Sequence, residues 1–303
     1  MEFWILITLI AAFFQNVRSA VQKKLSGDLG AQASAYTRFV FALPFALVYL
    51  VSLYTVTETQ VPEINILFLI YIVGGGSAQI LGTIFLIMSF EGKQFAQGTA
   101  FSKTEVLQTA VIGFLLLGES VSLYFILGVF ISLVGVLGLI GFRNIVGEIT
   151  DGTFRGRVAL LGIAAGAGFA LSAVAYRGAA LALDNNLGLD SVHRAAFTLA
   201  CVLCFQSLSM GIYLFIKHRT GLRALLRQWR AGLVVGLAGM LASTGWFTAL
   251  AMQSAAYVRA LGQVELIFAM LTSVFLFKEG LKRNEFFSIL ILSFGILVIV
   301  LAG

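Results

Sequence analysis

Long apolar runs separated by short polar or glycine-rich breaks follow one another along the chain. They draw ten segments, at about 3–23, 32–54, 65–89, 95–117, 122–141, 157–181, 190–216, 231–252, 256–277 and 284–302. Each is close to the roughly 20 residues a helix needs to cross about 30 Å of hydrocarbon. None has the ten-residue alternation of an outer-membrane barrel strand. The pattern predicts an all-α integral membrane protein of ten transmembrane helices, with no soluble domain between them. The opening MEFWILITLIAAFF has no basic leader and no small-residue cleavage site before Gln15 and Asn16, so it is read as the first span.

The hydrophobic pattern is duplicated. Slid along itself without a gap until Phe85 lies over Gly245, the stretch Phe85–Ile140 lies over Gly245–Val300. In that register Ala96 meets Ala256, Ala100 meets Ala260, Glu105 meets Glu265, Glu119 meets Glu279 and Gly135 meets Gly295. Ser19-Ala20-Val21 corresponds to Ser172-Ala173-Val174, and Arg38 to Arg194. The expected organisation is a five-helix half at 1–142, a connection at 143–156 and a second five-helix half at 157–303. Five spans is an odd number, so the second half is expected to sit inverted relative to the first, as in transporters that alternate access around a midplane site.

Composition and charge fit this picture. The chain is 59% hydrophobic and 11% charged, which excludes a soluble globular domain of 303 residues. Its net charge of +6 is not a nucleic-acid signal, because the basic residues fall in short connections. The connection between the second and third segments carries Glu58 and Glu63 without a base, whereas its counterpart in the second half carries Lys217, Arg219, Arg223, Arg227 and Arg230. Opposite charge at equivalent connections is what inversion predicts. Taken with Lys23, Lys24, Lys93, Arg143, Arg155, Arg157, Lys278, Lys282 and Arg283 on the same side, the charges place both termini outside the cytoplasm.

Ionisable groups inside spans mark the candidate chemistry, since each costs about 2.5–3.5 kcal/mol at the bilayer centre and is expected to face a cavity or a partner. Glu105 and Glu265, each well inside its span and near the midplane, lead. Gly98, Ser102, Glu105 and Thr109 form one small or polar stripe, and Gly262, Glu265, Ala269 and Thr272 another. These carboxylates are candidate substrate or proton ligands, or structural partners of Arg38 and Arg194, with Lys103 a further ion-pair or gating candidate. Gln15, Asn16, Arg18 and, in the Gly74-Gly75-Gly76 segment, Gln79 are candidate substrate-facing groups, with Gln22 on the face of Gln15 and Arg18. Arg259 lies near a helix start. Tyr36, Tyr176, Trp246 and Tyr257 are stacking candidates or interfacial anchors, and Glu119 and Glu279 are expected to cap helices. Cys201 and Cys204 are expected to be packing residues, not metal ligands, and His193 and His218 to lack a catalytic constellation. No cofactor is implied, and no phosphate-binding loop for an ATP motor is present.

The passage FTALAMQSAAYVRALGQVELIFAMLTSVFLFKEGLKRNEFFSILILSFGILVIVL resembles the second repeat of EamA-type proteins of the drug/metabolite transporter superfamily. Glu265, Glu279 and Gly295 match that pattern, and the first half follows it through Glu105, Gly118-Glu119, Gly128 and Gly135. Val106 and Leu266 stand where the family usually has proline, so no proline kink is expected. The resemblance implies ten helices in two inverted repeats, export or exchange of small metabolites, and cytoplasmic termini, against the charge count. The expected function is secondary transport of a small polar or zwitterionic metabolite such as an amino acid, coupled to protons or uncoupled, in a bacterial inner membrane. The alternatives are a non-transporting membrane partner subunit and, behind it, a lipid-active membrane enzyme.

Overall fold

The structure, a computed structural model, describes residues 2–89, 95–140, 156–183, 189–276 and 283–302. Lys93, Arg143, Arg155, Lys278, Glu279 and Lys282 lie outside the described residues, as do the side chains of Gln22, Lys23, Lys24 and Arg223.

In hydrocarbon the backbone must satisfy its own hydrogen bonds, and the apolar runs do so as helices. The order is α1 (Phe3–Val40), α2 (Ala42–Val56), α3 (Ile66–Ser89), α4 (Phe95–Ser102), α5 (Glu105–Leu117), α6 (Leu123–Ile140), α7 (Gly156–Ala182), α8 (Ser191–Lys217), α9 (Arg219–Arg227), α10 (Trp229–Met252), α11 (Ala255–Leu261), a 3-10 turn (Gly262–Val264), α12 (Glu265–Leu276) and α13 (Arg283–Ala302). Among the described residues, eight stretches are long and apolar enough to cross a membrane: Phe3–Val21, Ala35–Val56, Ile66–Ser89, Gly156–Ala182, Ser191–Lys217, Trp229–Met252, Ala255–Thr272 and Arg283–Leu301. The other two expected spans fall on shorter apolar helices, Glu105–Leu117 and Leu123–Leu139.

Helix ends follow local chemistry. Asn65 accepts from the Phe68 N–H at 2.7 Å at the start of α3 and donates to the Ala182 carbonyl at 2.7 Å at the end of α7. Gly118, at φ 69°, closes α5 in the left-handed conformation that glycine reaches without strain. Ser122 accepts from the Phe125 N–H at 3.1 Å where α6 begins, a cap the sequence reading had given to Glu119.

Three boundaries differ from expectation. Arg18 and Arg38 both belong to α1, and a straight helix would separate them by about 30 Å. Yet a Cβ on Gly239 would come 3.3 Å from Arg18 Cδ and 3.7 Å from the Arg38 carbonyl oxygen. The element therefore doubles back between them, and the first two expected spans are its two legs, the second continued by α2. The expected fourth and ninth spans are each interrupted, and the polar stretch after α8 contains a helix, α9.

Two compact units emerge. Met1–Ser77 and Ala175–Gln253 form the first, and Ala78–Val174 and Ser254–Gly303 the second, so each draws on both halves of the sequence, and α3 and α7 contribute to both. In the first unit α1 packs along α10, with Gly236 against the Phe41 backbone and Gly245 against Ala11. Gly75 and Gly76 bring α3 against Ala175, Tyr176 and Phe205, which accounts for the Gly74-Gly75-Gly76 run. In the second unit α6 and α13 pack through small residues. A Cβ on Gly135 would come 2.5 Å from the Leu292 nitrogen, and one on Gly295 would clash with Ser132 and Gly128 backbone. Small residues let membrane helices approach this closely.

Candidate functional site

The candidate site of the second unit is built on the two interrupted helices. The chain leaves α4 at Ser102, turns through Lys103 and Thr104, and re-enters helix at Glu105. It leaves α11 at Leu261, passes the 3-10 turn and re-enters at Glu265. Glu105 and Glu265, equivalent in the register of the sequence duplication, open the helices that follow. Each glutamate thus occupies the first turn of a helix, where unpaired N–H groups and the helix dipole favour a carboxylate.

No proline makes these breaks. At the first, α7 presents glycines: a Cβ on Gly166 would lie 2.9 Å from the Ser102 carbonyl oxygen and 3.2 Å from the Glu105 nitrogen, and one on Gly162 would lie 2.7 Å from the Gly98 carbonyl oxygen. Gln108 Nε2 donates to Thr104 Oγ1 at 3.0 Å and to the Ile163 carbonyl at 3.3 Å, tying the start of α5 to α7. Close backbone approach fixes the first break where the sequence offers no breaker residue.

The four charged groups pair crosswise. Lys103 Nζ donates to Glu265 Oε1 at 2.8 Å. Arg259 donates from Nε and Nη2 to Glu105 Oε1. Each acid is neutralised by a base from the other half of the sequence, and the cluster carries no net charge. Glu105, with a side chain 10% exposed, is the most buried of the four, and Glu265 and Arg259 are each 25% exposed. Gln263, in the 3-10 turn, is 3% exposed, and both ends of its carboxamide are buried without a hydrogen-bond partner among the described residues. Gln79 also belongs to this unit, half-buried on α3, with Thr83 Oγ1 donating to its carbonyl at 2.8 Å.

The remaining candidates lie in the first unit. Gln15 Oε1 accepts from Trp246 Nε1 at 2.9 Å. Asn16 is half-buried beside it, and Arg18 is buried against Gly239. Arg38 lies over the Phe39 ring with Cζ 4.8 Å from the centroid, and Arg194 Nη2 donates to Ser191 Oγ at 3.4 Å. The aromatic candidates are buried in protein: Tyr176 stacks on Phe247 at 4.7 Å, and Tyr257 lies 4.6 Å from Phe125. Tyr36 meets Gly211.

Three polar features escaped the sequence reading. Gln206, 1% exposed, donates to Tyr176 Oη at 3.3 Å, and Tyr176 Oη donates to the Gly75 carbonyl at 3.2 Å, so the glycine run has polar partners as well as room. Arg177 Nη1 donates to the Leu250 and Gln253 carbonyls at 2.9 and 2.7 Å, capping the end of α10. His193, expected to lack a catalytic constellation, has Nδ1 2.6 Å from Asp190 Oδ1 and Nε2 2.9 Å from Thr57 Oγ1. That order of carboxylate, imidazole and hydroxyl is not a nucleophile site, because the Thr57 hydroxyl donates to the Leu53 carbonyl of its own helix at 2.7 Å. It joins the end of α2 to the start of α8. Cys201 and Cys204 are free thiols.

A solved crystal structure aligns with 99% of this chain and 98% of its own at a TM-score of 0.69 and 13% identity, a likeness of fold alone. No curated protein matches the chain. Residues 2–141 match the EamA-like transporter family, a family of transporters and not of enzymes. Over residues 2–141 the chain is thus similar to the EamA-like transporter family, of the drug/metabolite transporter superfamily, and it is a multi-pass membrane protein.

Proposed function

We propose that the protein is a secondary transporter, an exporter or exchanger of a small polar or zwitterionic metabolite such as an amino acid, in a bacterial inner membrane. The working unit is ten spans in two inverted five-helix repeats, 1–142 and 157–303. The helix starts at Glu105 and Glu265, in register between the halves, support the duplication, and the opposite charge of equivalent connections supports the inversion.

The observation that carries the reading is the crosswise pairing of Lys103 with Glu265 and Arg259 with Glu105 at two broken helices. Intramembrane charges are costly unless partnered, and discontinuous helices with exposed backbone ends are where transporters place substrates and ions. A pair that opens frees a carboxylate and a cation together, which suits a ligand bearing both charges, and a freed carboxylate can take a proton. One charge moved through 100 mV supplies about 2.3 kcal/mol, enough to drive a roughly fiftyfold solute gradient. Alternating access then consists of exchanging protein–protein for protein–ligand pairing as the repeats rock.

The test is a thermal-shift screen of purified protein against amino acids, nucleosides, sugars, organic acids and quaternary amines, repeated on Glu105→Gln and Glu265→Gln. Ligand that binds the folded state raises its apparent stability. A hit in the wild type that weakens in either variant is expected. Silence across the panel, or a hit indifferent to both substitutions, would overturn the reading.

A further inference from the structure

The stretch after α8 was expected to be a plain basic connection, and the structure makes it an amphipathic helix with exposed apolar flanks. Residues 217–230 hold Lys217, Arg219, Arg223, Arg227 and Arg230 and no acidic residue. Within α9 the arginines recur every fourth position, while Leu222 and Leu225 share another face. Leu225 is buried, and the helix packs against α1 and α8, so its inner face is already occupied by protein.

The outer side mixes two chemistries at one level. Ile216, Leu226 and Trp229 are exposed, and beside them stand exposed Arg219, Arg227 and Arg230. The Arg219 guanidinium lies over the Phe215 ring at 4.6 Å while its Nε donates to the Phe215 carbonyl at 2.9 Å, and that of Arg230 lies over the Trp229 ring at 5.6 Å. Cations are thereby held on top of apolar rings. This segment joins two spanning helices, so it lies where they leave the membrane. Nucleic acid or an acidic protein would satisfy the arginines and leave Leu226 and Trp229 in water. A zwitterionic headgroup would take the apolar side chains and leave the positive charge unbalanced.

We infer that α9 and its flanks form a binding surface for anionic phospholipid headgroups, with Arg219, Arg227 and Arg230 on the phosphates and Leu226 and Trp229 among the acyl chains. Basic residues next to an anionic leaflet each favour binding by about fivefold, and the attraction fades within a Debye length. The surface belongs to the first unit and the ion pairs to the second, and the inference does not depend on the transport reading.

The test uses the full chain reconstituted in phosphatidylcholine vesicles containing a minority of acyl-brominated phosphatidylglycerol or acyl-brominated phosphatidylcholine, with tryptophan quenching as the readout. Trp4 and Trp246 are buried, so quenching reports chiefly on Trp229, and Trp229→Phe gives the background. The wild type is expected to be quenched at a severalfold lower mole fraction of the anionic lipid. That preference is expected to collapse toward unity in about 1 M salt, where the Debye length is about 3 Å, and in R219Q/R227Q/R230Q. Equal quenching by the two lipids in the wild type, or a preference that survives high salt, overturns the proposal. The salt series is read on the wild type alone and stands even where the triple variant misfolds.

Discussion

The two helix breaks occupy equivalent places in the duplicated sequence, and they do not carry the same groups. The first has Thr99, Lys103 and Glu105, and the second, in the same register, has Arg259, Gln263 and Glu265. The acid is common to both, while the base sits one turn farther ahead of it at the second break. Consequently neither half is electrically complete, and each acid depends on a base supplied by the other half. The two resulting pairs differ in kind. Glu105 is held by two nitrogens of one guanidinium, a planar group with fixed donors, whereas the cation on Glu265 is an ammonium on a flexible stem. The contrast predicts that Arg259–Glu105 is the fixed pair and Lys103–Glu265 the one that opens.

The largest effect should come from breaking the fixed pair. Glu105→Gln or Arg259→Gln alone should cost about 3 kcal/mol, the lower end for breaking a buried pair by removing one member, and the double variant should recover much of that loss. Lys103→Gln and Glu265→Gln, whose side chains are 17% and 25% exposed, should each cost less than half as much. Thermal unfolding in detergent across both double-mutant cycles measures the difference. Coupling energies of equal size would erase the distinction between the pairs.

The tightest packing found in both halves is symmetrical where the breaks are not. Gly135 and Gly295 are equivalent positions on α6 and α13, and a side chain on either would strike the backbone of the other helix. Gly135→Val and Gly295→Val should each destabilise by about 2 kcal/mol through overpacking. Losses of similar size in thermal unfolding would show that the halves have kept their packing while diverging in charge. A tolerated substitution at one position alone would mean that the packing has diverged as well.

How much of this was legible in the sequence follows from the range of each interaction. The helices were legible because the apolar runs are long, and the repeated register of the sequence because Glu105, Glu119 and Gly135 have counterparts in its later half. Both glutamates stood out because a charge inside an apolar run has a known cost. Their partners were not legible. Lys103 lies 162 positions from Glu265, and no local rule favours it over Arg38 or Arg194. The breaks left no proline signal, and at the first of them the cause lies in Gly162 and Gly166 on a helix distant in sequence. The helix α9 did leave a signal, in leucines at 222, 225 and 226 and arginines every fourth position, but its polarity hid a period that was present. Arg177 and Gln206 serve carbonyls and a hydroxyl far along the chain, and nothing near them announces it.

At the second break Gln263 stands where the first has Lys103, and it makes no counterpart to the lysine's ion pair. A buried carboxamide with neither end hydrogen-bonded costs about 1–3 kcal/mol, whereas a leucine of similar length carries no such penalty. Gln263→Leu should therefore stabilise the protein by about 1–2 kcal/mol in thermal unfolding, an unusual sign for a substitution at a buried position. Destabilisation instead would mean that the amide has partners in the populated state, and the breaks would then be more alike than they look.

The smallest effect lies outside the breaks, at a helix start whose cap is an ordinary one. Asp190 precedes α8 and accepts from the His193 N–H at 2.9 Å, with the His193 ring beside the same oxygen. Burial on its own would raise this carboxyl, but the backbone and ring hydrogen bonds outweigh it and hold the group below the usual aspartate value. A carboxyl lowered in the folded state contributes its stability above its unfolded value, and the contribution is lost as pH falls through the folded one. Asp190→Ala should cost about 1 kcal/mol near neutral pH, as the loss of a helix cap does, and the gap to wild type should close as the pH is taken below the ordinary aspartate range. Thermal unfolding of both proteins over that range checks it.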